Sequence, residues 1–121
     1  MAIPPVIAIV DDDAEMRDAL CDLLLVEGLA GRAFESAEAF LAAYQPRAFA
    51  SVVTDIRMPG MTGLELLARL KRSDPELPVI VVSAATDPQA RQRAMDGGAR
   101  AFLVKPIRDA DLLSHLAAIL R

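Results

Sequence analysis

The chain has 121 residues, 54% of them hydrophobic, which suits one packed domain over residues 1–121 and argues against disorder. With 17 acidic and 13 basic residues the formal net charge is -4, a poor basis for gripping a nucleic-acid backbone, which needs clustered Lys and Arg. The single cysteine, Cys21, excludes an intrachain disulfide, the Met1-Ala2-Ile3-Pro4-Pro5 start is unlike a signal peptide, and no segment has the length of a membrane span, so a cytoplasmic setting is expected.

Short apolar runs alternate with stretches of helical period. Val6 to Val10 reads as a first strand after Pro4-Pro5. Ala14 to Glu27 reads as a helix with Met16, Leu20, Leu23 and Leu24 on one face, stopped by Gly28. Leu29 to Phe34 is a weaker strand candidate. Ser36 can cap a short helix carrying Phe40, Leu41 and Tyr44. Ala50 to Thr54 is a strand, and Thr62-Gly63-Leu64-Glu65 has capping-box form, opening a helix with Leu64, Leu67 and Leu70 inward. Val79 to Val82 is the fourth strand. Asp87-Pro88 is a cap with a first-turn proline, and Gly97-Gly98 ends that helix. Ala101 to Val104 is the fifth strand, and Asp109 is expected to cap a last helix with Leu112, Leu113, Leu116, Ile119 and Leu120 on one face.

Repeated strand–helix units predict an α/β fold: a parallel sheet covered by helices on both faces. In that class, ligands sit at the carboxyl ends of the strands. The first run is followed by Asp11-Asp12-Asp13, the third by Asp55, the fourth by Ser83 and the fifth by Lys105-Pro106. In the common five-stranded order these positions converge on one edge. Converging carboxylates repel and need compensation. Mg²⁺ or Mn²⁺ supplies it, since Mg²⁺ is typically held by one or two carboxylates, waters and a substrate phosphate. A carboxylate can also attack phosphorus to form an acyl phosphate, with cations and hydrogen-bond donors around the transferring group. Asp55 can be that nucleophile. Lys105 can neutralise phosphoryl oxygens, and the Ser83 hydroxyl can donate to one of them.

The motifs Ile9-Val10-Asp11-Asp12, Thr54-Asp55-Ile56-Arg57-Met58-Pro59-Gly60, Val82-Ser83-Ala84 and Lys105-Pro106 occur in order from Val6 to Leu120. In this combination the sequence resembles the receiver domains of bacterial two-component response regulators. Ser36-Ala37-Glu38-Ala39-Phe40-Leu41, with the Asp55 motif, most resembles the FixJ-type subgroup. The resemblance implies a flavodoxin-like (βα)5 doubly wound sandwich with strand order 2-1-3-4-5. It implies a regulatory phosphoacceptor, not a conventional enzyme, that takes a phosphoryl group from a sensor histidine kinase. Asp55 matches the phosphorylated aspartate. Asp11 and Asp12 match the acidic pair that holds Mg²⁺, with Asp12 the direct ligand, and Arg57 matches the position whose backbone carbonyl completes the site. Ser83 matches the switch hydroxyl, where Thr is commoner, and Phe102 the switch aromatic, where Tyr is common. Lys105 matches the lysine whose bond to the next proline is cis. Arg57 and Ala85, two residues beyond Asp55 and Ser83, match sites that influence the lifetime of the phosphoryl group.

The resemblance further implies that Ser83 moves toward the phosphoryl group, that Phe102 turns inward behind it, and that a face bearing Arg91, Arg93, Arg100, Asp96, Asp109 and Asp111 then forms a homodimer. FixJ-type proteins usually continue into a DNA-binding domain, whereas this sequence stops with its fifth helix. It is therefore read as either an excised domain controlling transcription or a stand-alone receiver, shuttling phosphoryl groups or binding protein.

Other readings fit less well. A flavin carrier needs a phosphate-binding loop after the first strand, where Asp11-Asp12-Asp13 would repel phosphate, and the chain has no Trp and one Tyr. An aspartate-nucleophile phosphohydrolase needs its motif after the first strand and a cap domain. A degenerate receiver would lack part of the acid, hydroxyl and lysine set. Asp13 is expected only to cap, Cys21 to pack, His115 to be exposed without a metal, and Met58, Met61 and Met95 to be loop or packing residues. Phe102 fits core burial and switching equally.

Overall fold

The computed structural model describes residues 4–84 and 88–121. In chain order the elements are β1 (Val6–Val10), α1 (Ala14–Val26), β2 (Ala30–Phe34), α2 (Ala37–Ala43), β3 (Ser51–Asp55), α3 (Gly63–Ser73), β4 (Val79–Ser83), α4 (Pro88–Asp96), β5 (Ala101–Val104) and α5 (Asp109–Ile119). The five strands form one sheet in the order β2-β1-β3-β4-β5, and every neighbouring pair is parallel. The expected doubly wound topology is therefore present.

Period-two alternation sends successive strand residues to opposite faces. Ile7, Ile9, Val53, Ile80, Val82 and Leu103 pack against Leu20 and Leu24 of α1 and Leu112 and Leu116 of α5. Ala8, Val10, Val52, Val79, Val81 and Phe102 face the other way, toward α2, α3 and α4. On that side Phe40 is fully buried and meets Phe34 edge-on, with ring centroids 5.4 Å apart. Helix α1 crosses β2 so closely that a side chain at Gly31 would meet Cys21 Sγ at 2.9 Å. Burial, with Asp18 and Asp22 nearby, pushes the Cys21 thiol up from its ordinary range, in keeping with a packing role.

The caps follow local chemistry. Asp13 accepts from the Glu15 amide at the start of α1, and Ser36 accepts from Ala39 at the start of α2. Thr62 and Glu65 close the expected capping box on α3. Several boundaries differ from the sequence expectation by one residue: α1 ends at Val26, β2 starts at Ala30, β3 starts at Ser51, and β4 runs on to Ser83. β3 extends through Asp55 because Asp55 is itself in register with Val82 of β4. Arg108, not Asp109, is the N-cap of α5 and makes no side-chain cap bond. Asp109 instead lies in the first turn, where its charge complements the helix dipole. On α3 the inward residues are Leu66, Leu67 and Leu70, with Leu64 half-buried. His115 is half-buried, not exposed. Asp87 and Ala85 lie outside the described residues. Among the described residues no helix is long and apolar enough to cross a membrane.

Candidate phosphoacceptor site

The parallel order brings the ends of β1, β3, β4 and β5 side by side, and the polar residues ending them form one patch. Asp11 follows β1 and is 4% exposed, while Asp55 ends β3 and is 8% exposed. Ser83 is buried at the end of β4. Its carbonyl accepts from the Lys105 amide at 2.9 Å, which sets the first residue after β5 beside it. Lys105 Nζ then reaches back across the sheet edge. It lies 3.1 Å from Asp55 Oδ2 and 3.2 Å from Asp11 Oδ2. The Lys105–Pro106 bond is cis, as the resemblance implied.

The backbone around each carboxylate is also tied down. Asp11 Oδ1 accepts from the Asp13 amide at 2.9 Å, and the Asp11 carbonyl accepts from Arg17 Nη1 at 2.8 Å. Asp55 Oδ1 accepts from the Ile56 amide at 2.8 Å, and the Asp55 carbonyl accepts from the buried Thr54 hydroxyl at 2.9 Å. Gly63 opens α3 directly under this turn. A Cβ there would lie 2.0 Å from the Asp55 carbonyl oxygen, so only glycine lets α3 start so close to Asp55.

Asp11, Asp12 and Asp55 each offer a carboxylate oxygen within 4.8 Å of the others. Asp12, unlike its two neighbours, is exposed. An all-oxygen donor set with one open side fits a hard divalent cation such as Mg²⁺. Arg57 lies two residues beyond Asp55 with its side chain exposed. Phe102 is 8% exposed, and the Arg91 guanidinium lies 5.0 Å from its ring centroid. The ring is thus already inside the protein, at one wall of a cleft shared with Pro106, Asp111 and His115.

Burial pushes the Asp55 carboxyl above its ordinary range; Lys105 opposes this, and Asp11 adds to it. Burial works against the Lys105 ammonium, but Asp55 and then Asp11 hold it above the usual lysine range. The ammonium therefore stays charged, while ionised Asp55 is the member of the pair that burial disfavours.

Of the residues expected at the site, Asp11, Asp12, Asp55, Ser83 and Lys105 all come to one edge of the fold. Thr54, Gly63 and Arg17, which brace the backbone there, are not among the residues expected from sequence. A Gly at the first helical position after a capping threonine was the one available signal for Gly63. Nothing local marks Thr54 or Arg17.

Comparison with known proteins agrees with this geometry. Residues 7–117 match the model of the response regulator receiver domain, and the chain belongs to that family. Such a domain is a regulatory phosphoacceptor rather than a conventional enzyme, its acidic cluster is of the receiver Mg²⁺ type, and it implies a cognate histidine kinase. Among its relatives, the transcriptional regulatory protein FixJ of Bradyrhizobium diazoefficiens is 39% identical over 95% of this chain and 56% of its own length. Transcriptional regulatory protein TdiR of Thauera aromatica is 42% identical over 93% of this chain and 49% of its own. The chain thus spans about half the length of these relatives. The crystal structure of FixJ-N superposes with a TM-score of 0.86 at 35% identity, covering 98% of this chain and 94% of that one. The BeF3-activated DrrB receiver domain gives 0.89 at 27% identity, covering 98% of each.

The raised Asp55 carboxyl carries a pH signature. A raised group contributes stability below its unfolded pKa and loses it as pH rises through its folded pKa. In metal-free protein, Asp55→Asn should therefore melt above wild type near neutral pH. The gap should close as pH falls through the carboxylate range. Parallel melting curves of the two proteins across pH check this, and a gap that widens toward acid would contradict it.

Proposed function

We propose that Asp55 is the residue phosphorylated, with Lys105 and Ser83 serving the transferred group. The observation that carries this is the Asp55 carboxylate at a strand end, contacted by Lys105 at 3.1 Å and beside Asp11 and Asp12. One Asp55 oxygen attacks the phosphorus of a phosphohistidine. The new P–O bond forms as the P–N bond breaks, and the imidazole leaves with the electron pair. Lys105, already between Asp11 and Asp55, can turn its ammonium to the incoming phosphoryl oxygens. Ser83 donates its hydroxyl to another of them, a charge-assisted hydrogen bond. Asp11, Asp12, Asp55 and the Arg57 carbonyl would hold Mg²⁺, which when bound supplies positive charge to the phosphoryl oxygens. The buried Phe102 ring is the position that a Ser83 drawn toward the phosphoryl group would favour.

The output proposed is transcriptional control in the cytoplasm through an attached DNA-binding domain, because FixJ and TdiR, both about twice as long as the region shared with this chain, are named as transcriptional regulatory proteins. The face built from α4, β5 and α5 is the proposed homodimer surface. It carries Arg91, Arg93 and Arg100 with Asp96, Asp109 and Asp111, a mixed-sign surface that a second copy can complement. Phosphorylation shifts the monomer–dimer balance only if the phosphorylated form binds the second copy more tightly.

With acetyl phosphate and Mg²⁺, intact-protein mass spectrometry should show one phosphoryl adduct on wild type and none on Asp55→Asn. Equal labelling of the variant would sink the assignment. Sedimentation with beryllofluoride should show a larger dimer fraction than sedimentation without it. An identical distribution up to high protein concentration would remove this face as the output surface.

A further inference from the structure

The loop over residues 56–62 connects β3 to α3 and carries Arg57. Its two ends are fixed locally. The Ile56 amide donates to the Val82 carbonyl at 3.1 Å, and the Gly63 amide donates to the Ile56 carbonyl at 2.9 Å. Its middle is held from a distance by α2. Glu38 Oε2 accepts from the Met61 amide at 2.9 Å, a bond spanning 23 residues of sequence. The same carboxylate lies against Gly60, which turns the chain at φ 79 and whose added Cβ would come within 2.4 Å of Glu38 Oε2. Met58, one residue past Arg57, is buried in the cluster that also contains Phe40 of α2. The loop is therefore anchored in the core by Met58 and tied to α2 by the Glu38 carboxylate.

We propose that Glu38 is a positioning residue for the phosphoacceptor site: through the Met61 amide and the Gly60 turn it holds the loop that presents the Arg57 carbonyl. This rests on the proposed reading of Asp55 and Arg57. Glu38 touches neither the metal ligands nor the reacting atoms, and its effect is on the range of positions the loop can visit. The Glu38 carboxyl is held below the usual carboxylate range by the hydrogen bond from Met61 and then by its own amide, which agrees with a carboxylate engaged as acceptor.

Two variants of the full chain test this. Glu38→Ala removes the acceptor, whereas Glu38→Gln keeps an oxygen at the same reach. NMR titration with Mg²⁺ alone should show half-saturation shifted about fivefold in Glu38→Ala, below the effect of a group bonded directly to a ligand because Glu38 acts through the Met61 amide. Glu38→Gln should stay within roughly twofold of wild type, since the hydrogen bond survives. Labelling by acetyl phosphate should follow the same order. In metal-free protein the Met61 amide should resist hydrogen exchange in wild type and Glu38→Gln and lose that protection in Glu38→Ala. A Met61 amide unprotected in wild type would overturn the proposal without any variant. So would Glu38→Ala matching wild type in Mg²⁺ binding and labelling, or Glu38→Gln as impaired as Glu38→Ala. If wild type itself takes no label, the phosphoacceptor reading fails and this role with it; if wild type is labelled and Glu38→Ala is unchanged, only the role of Glu38 fails.

Discussion

One ammonium between two buried carboxylates is the interaction on which this structure turns. Asp11 and Asp55 sit almost out of solvent at adjacent strand ends, and Lys105 contacts both. Two like charges about 4 Å apart repel by roughly 4 kcal/mol at the effective dielectric of a protein surface, a large part of a typical domain's stability of about 5–15 kcal/mol. Lys105 offsets that repulsion from the end of β5, two strands away from β3. The compensation is incomplete, since burial still disfavours ionised Asp55. A patch with residual negative potential and an open side attracts a divalent cation and, with it, a phosphoryl group.

Holding such a patch together places demands on the backbone beneath it. Thr54 donates to the Asp55 carbonyl, Arg17 donates to the Asp11 carbonyl, and Gly63 admits α3 within contact distance of Asp55. None of these groups touches the carboxylates' ligating oxygens. They fix where the carboxylates start from, and a parallel sheet with short βα turns is a scaffold that gives each one a neighbour in contact. On the α4–β5–α5 side the Phe102 ring lies in the core under Arg91, and its strand ends at Val104, one residue before Lys105.

Much of this was legible in the residues themselves. The apolar runs Val6–Val10 and Ala101–Val104 coincide with β1 and β5, because strands buried on both faces have no polar interruption to blur their ends. Asp11, Asp55, Ser83 and Lys105 could be found because each is the first polar group after such a run. What escaped was of two kinds. Asp109 was expected as a cap from its type alone, but the chain leaving Pro106 places Arg108 at that position, and cap identity depends on backbone path as well as residue type. Contacts such as Glu38 with Met61, Arg17 with the Asp11 carbonyl, and Arg91 over Phe102 join side chains to partners that local pattern does not specify. His115 was expected in solvent but is half-buried, lining the cleft beside Phe102.

Lys105 supplies the positive charge that Asp11 and Asp55 need to stay side by side. Thermal melting of Lys105→Ala at neutral pH, with and without Mg²⁺, is the decisive check. The midpoint should fall below wild type in metal-free protein and rise more on adding Mg²⁺ than it does in wild type. An unchanged metal-free midpoint, with the same response to Mg²⁺ in both proteins, would contradict this role of Lys105.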